Sequence, residues 1–392
     1  MAGSAQRWAA VRFAAVRGRI VVAIALGAVL PACSATTPVT IDSPGPASPD
    51  ASPIVSLSTS PSKAPPTPRA REAVYALDGA LWLYDVAADT VRPLTQSGSA
   101  RSPRWMGPGL VSFISDGVGG ERSSALMQLD IKGSAITELF RVATGIATYG
   151  WSPDLSTVAY VTVDDHDFPQ IHYRAMANGS IRTVATLARQ FGREGVDDDQ
   201  LRVEYSPDGE RVLIVYTVAG GGGEDVSPDS SQLQVRTSDG SLAFAPEQRN
   251  GPTMGAWAAD GSAIFFRINA GARTWRIDGS TGSVPASPVW FNPAVSRNGR
   301  YIAFDTGASD PRVVIRLLDL RRGTVKIIGE RGRAHPVFAA NRIVWAQRIR
   351  RCTGECLVPG EPVLEVVAID ITNGTEKPLA ITSLLDTDVR YA

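Results

Sequence analysis

Catalytic and metal-binding motifs are scarce in this sequence. Among its 392 residues there are only three cysteines and three histidines. The chain has no His-Glu-x-x-His zinc motif and no Gly-x-Ser-x-Gly nucleophile elbow. The glycine-rich residues 220–225 lack the Lys and Ser/Thr of a phosphate-binding loop, so we interpret them as a loop between strands. These absences predict a protein that is not an enzyme and has no cofactor.

The charge balance of the chain argues against nucleic acid as a partner. Acidic and basic residues number 39 each. Residues 1–32 contribute four arginines and no acid, which leaves the rest of the chain slightly acidic. Proteins that bind nucleic acid usually carry a marked positive excess. Nucleic acid is therefore not an expected partner.

Residues 1–32 have the features of an export signal. Four arginines precede the uncharged and largely apolar residues 20–30. That run is short for a helix that spans a bilayer, but it is typical of the core of a signal peptide. Directly after it comes Leu30-Pro31-Ala32-Cys33, which resembles the lipobox of bacterial lipoproteins: a branched apolar residue, a variable residue, a small residue and a cysteine.

The lipobox resemblance implies that Cys33 is the anchoring residue. The Cys33 sulfur is expected to receive a diacylglyceryl group, and cleavage before Cys33 then frees an amine that can also be acylated. Two or three acyl chains hold a protein firmly, since each buried methylene contributes about 0.8 kcal/mol. The alternative is an ordinary secretory signal with an unmodified cysteine. We predict a protein anchored to the cell membrane on its extracytoplasmic side.

The residues after Cys33 have the composition of a disordered tether. Nine Pro, eight Ser and five Thr lie among residues 34–70, with few large apolar side chains. Such a segment buries too little apolar surface to offset the conformational entropy of folding. We therefore assign residues 33–70 to a lipidated cysteine and tether, and residues 71–392 to the folded domain.

A short turn motif recurs through the rest of the chain. Each copy places an aromatic or apolar residue before a polar turn, and a β-branched or aromatic strand follows. In the Ser-Pro-Asp-Gly form, Pro presets φ at the second turn position and Gly suits its end. The clearest copies are Tyr149-Gly-Trp-Ser-Pro-Asp154, Glu204-Tyr-Ser-Pro-Asp-Gly209, Ala256-Trp-Ala-Ala-Asp-Gly261 and Ala294-Val-Ser-Arg-Asn-Gly299.

These segments resemble the repeat of TolB-like β-propeller proteins, from about residue 73 to the C-terminus. The resemblance implies a single all-β propeller of four-stranded antiparallel blades. We favour seven blades, with six as the alternative, because anchor residues recur at Trp105, Trp151, Tyr205, Trp257, Val295, Phe338 and Tyr391. The C-terminal strand is expected to complete the first blade, whose remaining strands lie in residues 74–95, and so to close the ring.

The remaining candidate sites are isolated side chains and two charged loops. Asp164, residues 165–167 and His172 form one acidic patch, and three aspartates at 197–199 form another. We interpret both as solvated loop charge, with a cation site as the alternative, because neither has EF-hand spacing. His335-Pro336 is a candidate for the channel lining. Cys352 and Cys356 are predicted to form a small disulfide loop, since both remain free in an exported protein after lipidation of Cys33.

Two hypotheses for function follow. The first is a membrane-anchored lipoprotein whose propeller is a scaffold for an unidentified protein partner in the cell envelope. The second is a propeller enzyme or small-molecule sensor that uses the central channel. The connections between second and third strands are longer and more diverse than the other turns, so we expect the partner site on the face that carries them. Neutral insertion is the alternative explanation of their length.

Overall fold

The structure is a computed structural model, which describes residues 70–96, 98–120, 122–164, 168–187, 201–217, 231–246, 254–268, 271–284, 290–306, 312–351, 362–384 and 387–391. Its regular elements in these ranges are all β-strands. Within the same ranges no helix has the length and apolar character needed to cross a membrane.

The strands of the first four blades follow one another in chain order. Blade 1 begins with β1 (Ala70–Leu77), β2 (Ala80–Asp85) and β3 (Thr90–Pro93). Blade 2 contains β4 (Ala100–Gly107), β5 (Leu110–Asp116), β6 (Ser124–Asp130) and β7 (Ile136–Val142). Blade 3 contains β8 (Thr148–Trp151), β9 (Thr157–Val163), β10 (Pro169–Ala175) and β11 (Ile181–Thr186). Blade 4 contains β12 (Leu201–Tyr205), β13 (Arg211–Thr217), β14 (Ser231–Thr237) and β15 (Leu242–Phe244).

The remaining strands complete the ring. Blade 5 contains β16 (Gly255–Trp257), β17 (Ala263–Ile268), β18 (Gly271–Arg276) and β19 (Thr281–Val284). Blade 6 contains β20 (Phe291–Val295), β21 (Tyr301–Asp305), β22 (Ile315–Asp319) and β23 (Thr324–Ile328). Blade 7 contains β24 (Arg333–Ala340), β25 (Ile343–Arg351), β26 (Pro362–Asp370) and β27 (Glu376–Pro378). The last strand is β28 (Thr387–Tyr391), which is the innermost strand of blade 1.

Seven four-stranded antiparallel sheets confirm the predicted seven-bladed propeller. In blades 2 to 7 the hydrogen-bonded order follows the chain from the innermost strand to the outermost. Blade 1 has the order β28-β1-β2-β3, which combines both ends of the domain in one sheet. In β28, Val389 pairs with Ala73 and Thr387 pairs with Tyr75. The C-terminal strand therefore closes the ring as predicted.

The hydrophobic core is divided among the interfaces between blades. Seven clusters of buried apolar side chains each join two neighbouring blades, and together they cover all seven interfaces. Trp290 lies fully buried between blades 5 and 6, and Trp345 packs between blades 7 and 1. Because each blade packs against a neighbour on both faces of its sheet, a second strand such as β9 or β13 is apolar at most positions. Loss of one blade would expose the cores on both of its sides.

The repeated turn motif forms a small hydrogen-bonded unit between the first and second strands of a blade. In blade 4, the Ser206 hydroxyl donates to the Asp208 carboxylate and accepts from the Arg211 backbone N–H at 3.0 Å. The same carboxylate accepts from the Glu210 N–H at 3.0 Å, and these hydrogen bonds hold the pKa of Asp208 below its usual value although burial opposes them. Gly209 has φ of 75°, which favours glycine. The motif thus specifies the turn through local hydrogen bonds.

The two faces of the ring differ in the length of their connections. On the short-turn face, each connection between first and second strands, or third and fourth strands, has at most five residues. On the long-loop face lie the connections between second and third strands and those between blades. Three of these run from Thr217 to Ser231, from Arg351 to Pro362 and from Thr186 to Leu201. All the long connections therefore leave the ring from one side.

Candidate functional site

The central channel contains a cavity of about 430 Å³ near the long-loop face. Its walls come from the innermost strands or strand entries of all seven blades, and one lining residue from each is Thr387, Ser102, Thr148, Glu204, Trp257, Asn292 and His335. The volume lies in the range of small-molecule pockets in proteins. His335-Pro336 therefore lies in the channel wall, as the sequence indicated.

Three innermost strands have the same backbone irregularity at the point where they enter the channel. Ser102, Asn292 and His335 have positive φ values of 51°, 46° and 49°, and each is followed by proline. The pairing register of each strand with its neighbour shifts at this point. A bulge of this kind interrupts the ladder, where proline is tolerated, and changes the direction of the strand. Positive φ at three non-glycine residues in one cavity wall marks strained backbone that the surrounding contacts must hold.

Asp305 holds two of these bulges together. Its side chain lies at the end of β21 and is fully buried. One carboxylate oxygen accepts a hydrogen bond from the Asn292 side-chain amide at 2.9 Å and another from the His335 backbone N–H at 2.9 Å. Asn292 belongs to blade 6 and His335 to blade 7, so this carboxylate fixes the channel wall across an interface between blades. Asp305 is a positioning residue for the cavity.

Charged side chains of both signs line the same cavity. Arg202 and Glu204 form an ion pair along β12. Asp388 accepts a hydrogen bond from the Trp105 backbone N–H at 2.7 Å, and Arg104 also lines the wall. Removal from water raises the pKa of the Asp388 carboxyl, although the positive charge of Arg104 and the Trp105 N–H oppose the shift. The cavity is therefore suited to a small ligand with both positive and negative groups.

The raised pKa of Asp388 predicts how stability depends on pH. An acid whose pKa is raised by folding stabilises the folded state fully at pH values below its pKa in the unfolded state, here 3.8. This contribution is lost as the pH rises through its pKa in the folded state. In an Asp388→Asn variant the introduced amide does not titrate, and its oxygen can still accept from Trp105. Relative to this variant, the unmodified protein should lose free energy of unfolding as pH rises from about 4 to neutral. Urea denaturation at several pH values measures this difference, and parallel pH profiles for the two proteins would contradict the prediction.

His172 occupies a different position from the loop that the sequence suggested. It lies in β10 and is buried, and its ring stacks on Tyr160 with centroids 4.9 Å apart. Its two ring nitrogens lie 2.9 Å from the hydroxyls of Thr162 and Thr183. Burial lowers the pKa of His172, which favours the neutral ring. His172 is thus a hydrogen-bonded residue of the blade 3 sheet and does not belong to the acidic patch.

Several predicted sites lie outside the described residues. These are Cys33, the Cys352 and Cys356 pair, residues 165–167, the aspartates at 197–199 and the glycine-rich residues 220–225. Lipidation and the disulfide accordingly stay predictions. Across the described ranges, no group of three or more His, Cys, Asp or Glu side chains is arranged to hold a metal ion.

The sequence contained a signal for the channel bulges that a search for turn motifs misses. Ser102-Pro103, Asn292-Pro293 and His335-Pro336 each begin three residues before a predicted anchor, at equivalent places in three blades. Asp305 and Asp388 carried no such signal. Each has a hydrogen-bond partner in a neighbouring blade, His335 for Asp305 and Trp105 for Asp388, and the second pair is 283 residues apart along the chain.

The fold and the channel define a seven-bladed β-propeller, and several solved structures are similar to the chain. An oligogalacturonate lyase in complex with manganese is 13% identical with a TM-score of 0.53, and the match covers 73% of this chain and 82% of the lyase. A puromycin-hydrolysing peptidase of Mycobacterium tuberculosis is 14% identical with a TM-score of 0.52, covering 81% of this chain and 53% of the peptidase. At these identities the likeness shows the fold alone.

TolB of Acinetobacter baumannii is also similar, at 14% identity with a TM-score of 0.42 and 82% of each chain covered. No family model and no curated protein sequence matches the chain. The TolB resemblance therefore rests on the turn motifs of the sequence, and the propeller class rests on the strand pairing.

Proposed function

We propose that this protein is a lipoprotein of the cell envelope, anchored outside the cytoplasm through Cys33, whose propeller binds a protein partner at the long-loop face. The observation that carries the proposal is the unequal length of the connections on the two faces. Every connection longer than five residues leaves from one side of a closed ring. Binding residues concentrate on loops that a rigid scaffold positions.

The N-terminal sequence supports the anchored part of the proposal. The arginines, apolar core and lipobox-like residues of 1–33 are those of an exported and acylated protein. A tether rich in Pro, Ser and Thr then separates Cys33 from β1, which begins at Ala70. An extended segment of this length gives the propeller access to partners some distance from the membrane surface.

A capture experiment tests which face binds the partner. The full-length lipidated protein, carrying an affinity tag, is crosslinked in cells and recovered from solubilised envelope. Glu224→Lys, in the connection between β13 and β14, should reduce recovery of the partner. Lys132→Glu, a charge change of equal size and opposite sign on the short-turn face between β6 and β7, should leave recovery unchanged. Loss from Lys132→Glu alone would overturn the assignment of the face, and no reproducible partner would overturn the scaffold function.

A second candidate function uses the channel, and the charged 430 Å³ cavity favours it. The lyase and the peptidase that resemble this chain in fold are enzymes by name. Arg104 and Asp388 face a common space in which a small ligand can be bound or converted. Screening the purified protein against glycans, lactones and peptides tests this candidate. Turnover or millimolar binding that is lost in Arg104→Gln would support it, whereas identical behaviour of the variant would count against it.

A further inference from the structure

A second groove lies on the short-turn face, at the junction of blades 6 and 7. Its volume is about 400 Å³. Strands β21 to β23 form one wall, and the turns of blade 7 form the other. We call it the seam groove, and its lining includes the polar residues Arg300, Asp319, Arg322, Lys326, Arg342 and Thr372.

The seam groove carries an excess of positive charge. Four of its lining residues are cationic, and Asp319 is the single carboxylate among them. Asp319 is already engaged, because Arg300 Nη2 lies 2.9 Å from it and the Arg321 backbone N–H donates to it at 3.0 Å. The Arg300 guanidinium holds the pKa of Asp319 below its usual value. Among the described residues, Arg322 and Lys326 therefore have no carboxylate partner, whereas Arg342 forms a long ion pair with Asp370, which lies outside the groove lining.

Contacts across the seam hold two of these cations in place. Lys326 Nζ donates to the Ile371 carbonyl oxygen at 2.5 Å, which leaves two of its three N–H groups for another acceptor. Arg342 donates to the Thr372 hydroxyl at 2.7 Å through Nη2 and at 3.0 Å through Nε. Asp370 is the nearest carboxylate to Arg342, at 4.0 Å, and the Arg342 side chain is 66% exposed. Both cations are thus pre-positioned and accessible.

We propose that the seam groove binds the phosphate group of an organic phosphate. A phosphate monoester carries nearly two negative charges at neutral pH, so it offsets more of the excess positive charge of the groove than a carboxylate does. Its oxygens accept the paired N–H groups of guanidinium and the donors of lysine. The groove is larger than one phosphate group, which leaves room for the sugar or glycerol that bears it.

Calorimetric titration with inorganic pyrophosphate tests the site, using the full chain with Cys33→Ala so that the anchor does not interfere. The intact groove should bind pyrophosphate saturably, and about 0.5 M NaCl should weaken the affinity several-fold because the site is exposed. Arg322→Gln and Arg342→Gln together should weaken binding at least tenfold. Lys132→Gln, which removes a cation from another turn on the same face, should change the affinity less than twofold.

Controls separate a binding defect from a folding defect. The Arg322 guanidinium makes no side-chain hydrogen bond within the described residues, so Arg322→Gln should leave the melting temperature unchanged. A second arm measures sedimentation of the same proteins with vesicles of phosphatidic acid, whose headgroup is a phosphate monoester, and phosphatidylcholine. Vesicle binding that needs Arg322 and Arg342, without pyrophosphate binding, would identify a lipid headgroup as the source of the phosphate. Absence of both, or equal binding by intact and substituted grooves, would overturn the proposal.

Discussion

Deletion of residues 388–392 is expected to lower the thermal unfolding temperature by about 10 °C or more, since a propeller without its closing strand loses several kcal/mol. The deletion removes most of β28 and leaves β1 without its inner partner. It also removes the Asp388 contact to Trp105 in blade 2, and the Tyr391 hydroxyl that donates to the Phe338 carbonyl in blade 7. Each lost hydrogen bond contributes about 1 kcal/mol, before the loss of packing is added.

Complementation separates ring opening from unspecific damage. The truncated protein should recover stability when a synthetic peptide with the sequence of residues 385–392 is added, because the exposed edge of β1 can accept a strand. A scrambled peptide of the same composition is the control. Calorimetry of the truncated protein without peptide tests whether β28 closes the ring. If it unfolds at the temperature of the intact protein, β28 does not close the ring in solution.

Substitution of Cys33 by alanine is expected to abolish acylation, and either to leave the precursor uncleaved at this site or to release the protein from the membrane. The lipobox-like residues predict an acylated sulfur at this position, and a processed chain without acyl chains loses the anchor predicted for it. Metabolic labelling with a fatty-acid probe, followed by membrane fractionation, measures both effects.

A variant with Cys352→Ala and Cys356→Ala is the matched control for this experiment. It keeps Cys33 and should be labelled as strongly as the intact protein. Label that persists in Cys33→Ala would show that another residue is acylated, and label lost only from the double variant would place the modification near the C-terminus.

The strands were predictable because their determinants are local. Ser206-Pro-Asp-Gly209 specifies a turn through hydrogen bonds within six residues, and the strand that follows, Arg211–Thr217, is apolar at nearly every position. Asp388-Val-Arg-Tyr391 was recognisable as a strand without a blade of its own, which is why ring closure could be expected. Repetition of one local pattern was enough to predict blade number.

The candidate sites were less predictable because they form between blades. Asp305 joins Asn292 to the His335 backbone, and no spacing in the sequence links a carboxylate at the end of one strand to the next blade. The seam groove combines Lys326 with a turn 45 residues further on. His172 was misplaced because an acidic segment that begins at Asp164 shortly precedes it in sequence, whereas its neighbours in the sheet are threonines and a tyrosine. Contacts between strands and between blades depend on the pairing register of the strands and on the angle at which the blades pack.

The position of β28 has a consequence for the order of folding. Because β28 is synthesised after every other strand in the described part of the chain, β1 waits with an unpaired edge while blades 2 to 7 form. Trp105 and Asp388, which join blade 2 to this strand, are separated by 283 residues, so a very large loop must close at that step. We therefore expect ring closure to be the slow event of refolding, with an open strand edge offered to neighbouring copies until it occurs. Dilution should favour the closed monomer over association during this interval.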